Sequence, residues 1–269
     1  MMAKKSLGQN FLNSTEIVTD IITASNVQKE SIVLEIGPGK GILTSALLSA
    51  GAKVICVEKD DQLIPVLQKK FAKNITFGQL KIVHGDILEF NIKSLISSDY
   101  KVIANIPYYI TGQIIRMFLE SEFQPKSMTL LLQKEVVERI VAKDGKESLL
   151  SLSVKIFGNP RYVRTVSRNV FSPQPNVDSA ILHIENISKN NFPEARPGGR
   201  GFGEKFFFKI LHAGFAHKRK QLISNLSSLY KKGALLKYFE KSGLNPKCRA
   251  EDLPLEAWIK LCKMLESIK

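Results

Sequence analysis

Three observations predict an α/β fold followed by a helical domain. Apolar runs of strand length alternate with stretches of helical spacing through residues 1–187. A glycine-rich turn separates the first two of those runs and opens a helix. Beyond a Pro- and Gly-rich stretch at 188–203, residues 204–269 show only helical periodicity. At 269 residues the chain has room for one large α/β domain and a smaller one. The expected division is therefore an α/β domain at 1–187, a linker at 188–203 and a basic helical domain at 204–269.

The chain opens with Lys4-Lys-Ser-Leu-Gly-Gln-Asn-Phe-Leu-Asn13. Its amides Gln9 and Asn10 lie among Leu7, Phe11 and Leu12, which suits a segment that docks better than a free tail. No apolar stretch follows the lysines, so no secretory signal is expected, and no later run approaches the ~20 residues of a membrane span. Ser14 or Thr15 can cap a helix that runs to about Ala24. Ser31–Ile36 reads as a strand and Gly37-Pro-Gly-Lys-Gly41 as the turn into a helix over Ile42–Ala50. Lys53–Val57 is a second strand, ending at Glu58. Strand, glycine turn, helix, strand and acid in that order form a nucleotide-binding βαβ unit. Gly37 and Gly39 let backbone approach a ligand, and Glu58, 17 residues beyond Gly41, can accept both hydroxyls of a ribose. The spacing is Glu35-x-Gly-x-Gly-x-Gly41 instead of Gly-x-Gly-x-x-Gly. An acid ahead of the glycines repels a pyrophosphate and suits a cationic group, such as the amino acid end of S-adenosyl-L-methionine. The plainer role for Glu35 is to cap loop amides.

Asp61–Phe71 reads as a helix and Leu80–Val83 as a third strand. Asp86 at its tip can accept the amine of an adenine resting on Ile87, or it can simply form an Asp turn after Gly85. A fourth strand, Tyr100–Ala104, runs into Asn105-Ile-Pro-Tyr108. There Pro107 stiffens the chain, the Asn105 side chain and the Ile106 carbonyl are acceptors, and Tyr108 offers a ring face to a flat, amine-bearing ligand. A strand-ending turn with a packed tyrosine would read the same way. A helix over Thr111–Ser121, a strand at Ser127–Leu132, a helix at Gln133–Val141 and strands near Tyr162–Val166 and Val177–Ile184 follow. Pro173 and Pro175, beside Phe171, make the intervening loop rigid. Seven strands, the last two closely linked and so antiparallel, fit a Rossmann-like methyltransferase sheet better than a dehydrogenase one.

Helices are expected at Glu204–Phe215, Gln221–Tyr230, Leu235–Ser242 and Leu255–Ile268. The net charge is +14, and from Lys189 onward 17 basic residues face 7 acidic ones. That asymmetry points to a polyanion, RNA or DNA ahead of an anionic membrane. Lys218, Arg219 and Lys220 lie at a helix junction, where they can track phosphates or form a solvated charge run. Cys56, Cys248 and Cys262 are far apart and include no Cys-x-x-Cys pair, so free thiols in a reducing cytosol are expected. The histidines lack a metal spacing, and no metal is expected.

Eight ordered stretches resemble the ribosomal RNA adenine N6-dimethyltransferases, and the match covers almost the whole chain. They are Leu7-Gly-Gln-Asn-Phe-Leu12, Leu34-Glu-Ile-Gly-Pro-Gly-Lys-Gly41, Glu58, Gly85-Asp86, Asn105-Ile-Pro-Tyr108, Leu132-Gln-Lys-Glu-Val136 with Phe171-Ser-Pro-Gln-Pro-Asn-Val-Asp-Ser-Ala180, and Phe215-Ala-His-Lys-Arg-Lys-Gln-Leu222. The resemblance implies a Rossmann-like class I methyltransferase that uses S-adenosyl-L-methionine. Asn10 and Leu12, with Gln9 beside them, would close over the cofactor. Gly37 would approach its methionine end, Glu58 its ribose and Asp86 its adenine, and Asn105 would sit beside the methyl donor. Phe171 would cover the target base opposite Tyr108. Val177-Asp-Ser-Ala180, Leu132-Gln-Lys-Glu135 and the basic junction look like the branch that dimethylates two adjacent adenines near the 3′ end of small-subunit RNA. Ile114-Ile-Arg116 is more like the large-subunit, macrolide-resistance branch, and an assembly factor with secondary catalysis is a further alternative. The implied setting is a cytoplasmic monomer acting on the assembling small ribosomal subunit.

Overall fold

The computed structural model describes residues 9–193 and 201–267. Leu7 and Gly8 of the N-terminal motif lie outside them. Among the described residues the chain divides into two compact units. One comprises residues up to Val137 together with Asn159–Ile187, the other Glu138–Gly158 with Ser188 onward.

In the first unit the elements are β1 (Phe11–Leu12), α1 (Thr15–Ser25), β2 (Ile32–Ile36), α2 (Ile42–Ser49), β3 (Lys53–Glu58) and α3 (Leu63–Lys70). Then come α4 (Ala72–Thr76), β4 (Leu80–His84), α5 (Ile92–Leu95), β5 (Lys101–Asn105), α6 (Thr111–Glu120) and β6 (Ser127–Gln133). After the excursion into the second unit, β7 (Asn159–Val166), β8 (Phe171–Ser172) and β9 (Ser179–Glu185) complete it. Seven strands form one sheet in the order β4-β3-β2-β5-β6-β9-β7. β9 is antiparallel to both β6 and β7, and the other pairs are parallel, as the close spacing of the last two strands predicted. Strands covered on both faces read as near-continuous apolar runs. Val33, Leu34, Val102 and Ile103 are accordingly buried to completion at the centre of the sheet. The chain winds outward from β2 through β3 to β4, then returns to β2's other side with β5. The carboxyl ends of β2 and β5 therefore flank a switch in winding direction, where such sheets open a crevice for ligands.

The N-terminal segment docks. Phe11 pairs with Ser172 and Leu12 with Phe171 in a two-stranded antiparallel ladder. Ser14 then caps α1, its Oγ accepting from Ile17 N at 3.3 Å.

The second unit holds α7 from Glu138 (the helix spans Lys134–Val141), α8 (Leu149–Lys155), α9 (Glu204–Gly214), α10 (Leu222–Leu226), α11 (Lys232–Ser242) and α12 (Leu255–Ser267). Its membership differs from the division expected from sequence. Residues 138–158 join it because Phe157 packs edge-on to Phe192 (5.4 Å) and face to face with Phe208 (6.2 Å). Ser188 N donates to the Phe157 carbonyl (2.8 Å), and Asn191 Nδ2 to that of Ile156 (2.7 Å). Ser188–Pro193 is thus packed chain, not a free linker; residues 194–200 lie outside the described set. α8 was not expected at all. It is two turns long, and its start is set by Ser148 and Ser151, each accepting the other's backbone N–H (3.0 and 2.6 Å). α10 ends at Leu226, short of the expected Tyr230, and α11 begins three residues before Leu235.

Gly214 ends α9 under the buried ring of Trp258. A Cβ there would lie 2.4 Å from the indole and 3.0 Å from Leu222. Gly214→Ala is expected to destabilise the protein by about 1–3 kcal/mol through overpacking, read as a lowered denaturant midpoint.

Candidate active site

A cleft opens at the carboxyl edge of the sheet, with about 800 Å³ of space that merges with solvent. It is lined by Gln9, Asn10, Gly37, Gly39, Glu58, Asp86, Ile87, Asn105, Ile106, Pro107 and Tyr108, so eleven of the expected residues meet in one place. The three glycines of the turn have separate duties. A side chain at Gly37 would meet nothing of the protein within 4 Å, so its lack leaves room in the cleft. At Gly39 a Cβ would come within 3.0 Å of the Phe11 ring, and at Gly41 within 2.6 Å of Phe71. All three have positive φ, where glycine is favoured. Lys40 Nζ lies 4.8 Å from the centre of the Phe11 ring and further fixes the docked segment.

Three acids mark the tips of β2, β3 and β4, and each has a different environment. Glu58 is buried; Oε2 accepts from Gly39 N (3.1 Å) and Oε1 from Asp60 N (2.8 Å). Burial pushes its carboxyl up, opposed by those backbone N–H groups. Asp86 accepts from Lys59 Nζ (2.7 Å) and from Leu88 N (3.1 Å). The Lys59 bond is the main cause holding it below the usual carboxylate range.

Glu35 is a correction to the expected site. It is 1% exposed and does not line the cleft. One residue short of the strand end, its side chain is buried between the sheet and α2, where Oε2 accepts from Cys56 Sγ at 3.2 Å and Oε1 has no hydrogen-bond partner among the described residues. Burial pushes its carboxyl up to about 7, against the lowering effect of Thr44 and Cys56. Leu12 and Phe171 also fall outside the cleft: they face each other in the β1–β8 ladder and belong to the buried core. Phe171, 5% exposed, therefore forms no wall over a base in this cleft.

At the end of β5, Asn105 Nδ2 donates to the Asn10 carbonyl (2.9 Å). That bond orients the amide with its nitrogen on the docked segment, leaving Oδ1 as the exposed acceptor. The Ile106 carbonyl takes no hydrogen bond among the described residues. Tyr108, half-buried, shares a hydrogen bond with Ser179 Oγ (2.9 Å) that anchors its phenol end. Seven further lining residues, Phe11, Ile36, Val57, Lys59, Gly85, Tyr109 and Ile110, were not among the expected site residues. Of these, Lys59 follows Glu58 at the strand tip, a position that could have signalled it, and Tyr109 is 60% exposed at the cleft.

Lys218, Arg219 and Lys220 lie in the second unit, exposed in the turn between α9 and α10. Buried Asn225 holds that turn: its Nδ2 donates to the carbonyls of Gly214 (2.6 Å) and His217 (3.1 Å).

The sheet order, the antiparallel β9 and the switch-point cleft with an acid beyond the second parallel strand define a Rossmann-like methyltransferase. The ribosomal RNA adenine dimethylase family matches residues 1–267, and the chain belongs to that family. It is thus a ribosomal RNA adenine dimethyltransferase that uses S-adenosyl-L-methionine. A relative from Dehalococcoides mccartyi (strain CBDB1), "Ribosomal RNA small subunit methyltransferase A", is 41% identical over 97% of this chain and 88% of its own. A protein of the same name from Fusobacterium nucleatum is 38% identical, covering 98% and 97%. Among solved structures, a dimethyladenosine transferase from Plasmodium falciparum is 25% identical with a TM-score of 0.77, covering 93% and 95%. The 23S rRNA methyltransferase ErmE, at 23% identity and a TM-score of 0.78 over 95% and 99%, shares the fold. No helix among the described residues is long and apolar enough to cross a membrane.

The raised Glu35 value has a signed consequence for stability. A carboxyl whose folded pKa exceeds its unfolded one stabilises the native state fully below the unfolded value of about 4.5, and that contribution is lost as pH rises to about 7. Glu35→Gln removes the loss. The melting temperature of the variant minus that of the wild type should be larger at pH 8 than at pH 5.

Proposed function

We propose that this enzyme dimethylates N6 of two adjacent adenines in a hairpin loop near the 3′ end of small-subunit ribosomal RNA, during subunit assembly. The observation that carries the reading is the pair of acceptors, Asn105 Oδ1 and the Ile106 carbonyl, beside Tyr108 in the cleft. The names of the relatives at 38–41% identity favour the small subunit over the large-subunit reading.

The residues present fit the cofactor. Room above Gly37 accommodates its methionine end, the remaining lone pairs of Glu58 suit the ribose hydroxyls, and Asp86 with the buried side chain of Ile87 suits the adenine. When bound, S-adenosyl-L-methionine supplies an electrophilic methyl group on a sulfonium sulfur. Gln9 and Asn10 would close the site from the docked segment. The lone pair of an adenine amine is delocalised into its ring. Asn105 Oδ1 and the Ile106 carbonyl, by accepting its N–H groups, favour a pyramidal nitrogen whose lone pair is directed to the donor. No strong base is required, because the proton of the methylated amine can leave to solvent. Positioning and electrostatics carry the rate. Tyr108 would stack on the unstacked base, while Pro107 stiffens the turn that presents both acceptors. Lys218, Arg219 and Lys220 would contact phosphates. A monomer acting in the cytoplasm, where ribosomes are assembled, is the setting this reading implies.

With labelled cofactor and unmethylated small subunits, the wild type should incorporate label as dimethyladenine. Binding without incorporation would favour a pure assembly factor. Asn105→Ala should lower kcat by about 100-fold with little change in S-adenosylhomocysteine affinity. Equal kcat would refute the assigned role.

A further inference from the structure

The second unit carries a concave cationic face that the catalytic reading leaves unused. It lies along α11, where Lys237 and Lys241 flank Tyr238, with Ala234, Ser242 and Met264 of α12 completing the hollow. Both lysines are exposed, and neither makes an ion pair or side-chain hydrogen bond among the described residues. Residues four apart share one helix face and are separated by about 6 Å along the axis, so the two ammonium groups can reach different points along an extended polyanion. Tyr238 is half-buried, its ring meeting the buried Phe239 edge-on at 6.2 Å. Met264 adds a polarisable thioether. The lining contains no carboxylate and no amide. It therefore offers cations and an aromatic surface without groups that select one base, the combination that binds single-stranded nucleic acid with sequence tolerance.

We propose that this face is an RNA-contact site separate from the basic turn at Lys218–Lys220, taking an unstacked nucleotide of the ribosomal RNA substrate. The base rests on Tyr238 and Met264, and the flanking phosphates meet Lys237 and Lys241. The inference rests on the reading of the substrate as small-subunit RNA. Charge complementarity selects this occupant: α11 itself carries three lysines, Lys232, Lys237 and Lys241, against one acid, Glu240. A small free anion is a poor fit, because no buried charged group waits in the hollow to hold it.

The test is fluorescence anisotropy of the full chain with a labelled RNA fragment carrying the 3′-terminal small-subunit hairpin and its flanking single strands, over a salt series. For K237Q/K241Q the salt slope of log affinity should fall by about 1.4, two single-strand phosphate contacts, with weaker binding at low salt. Tyr238→Leu should weaken binding by about fivefold or more through lost stacking while leaving the slope unchanged. S-adenosylhomocysteine affinity should stay at the wild-type level in both variants. Unchanged slope and affinity in K237Q/K241Q would overturn the proposal, even if binding to assembled subunits fell, since the face would then meet a protein. A wild type that does not bind the fragment would instead overturn the substrate reading on which the inference rests.

Discussion

An amide side chain presents its oxygen in a fixed direction only when something holds its nitrogen. Here the holder is the carbonyl of Asn10, 2.9 Å from Asn105 Nδ2. Asn10 is kept in place by its neighbours: Phe11 and Leu12 form a ladder with Ser172 and Phe171, Leu12 enters the core, and Phe11 lies against Gly39. This polar contact and the packing of Phe11 beside it therefore join three remote parts of the chain, namely the N-terminal segment, the glycine turn and the end of β5. A side chain at Gly39 would push on Phe11, and through it on the carbonyl that orients Asn105.

The charge pattern beneath the cleft depends on the same packing. The Glu35 side chain is buried between the sheet and α2, where an ionised carboxylate with one oxygen unpartnered among the described residues is costly. Burial raises its pKa to about 7 and favours the neutral acid. Glu58 has backbone N–H groups on both oxygens, and Asp86 is held ionised by Lys59. Acids at three adjacent strand tips thus meet three different fates: a buried carboxyl below the turn whose ionisation is disfavoured, an oriented acceptor, and an ion-paired acceptor at the outer edge.

Much of this was legible in sequence because strands, glycine turns and strand-tip residues are local patterns. The βαβ unit, Glu58, Asp86 and Asn105-Ile-Pro-Tyr108 follow from period and order along the chain, and the antiparallel β9 from a short connection. What escaped depends on contacts distant in sequence. Whether Glu35 faces ligand or sheet is decided by Thr44 and Cys56 on neighbouring elements. Phe171 reads as an exposed loop aromatic until Leu12, 159 residues earlier, is seen to cover it. The placement of residues 138–158 is set by Phe157 meeting Phe192 and Phe208, and α8 is too short to show a period. Ser188–Pro193 has linker composition, yet its Phe192 is a core residue of the second unit.

Single-turnover methyl transfer by Asn105→Asp tests the central claim most directly. Aspartate keeps an acceptor oxygen but has no N–H for the Asn10 carbonyl, which would repel it. If the Asn10–Asn105 bond sets the acceptor, the rate should fall by about tenfold or more at unchanged S-adenosylhomocysteine affinity. A rate equal to that of the wild type would contradict the account, since any acceptor at position 105 would then suffice without the docked segment holding it.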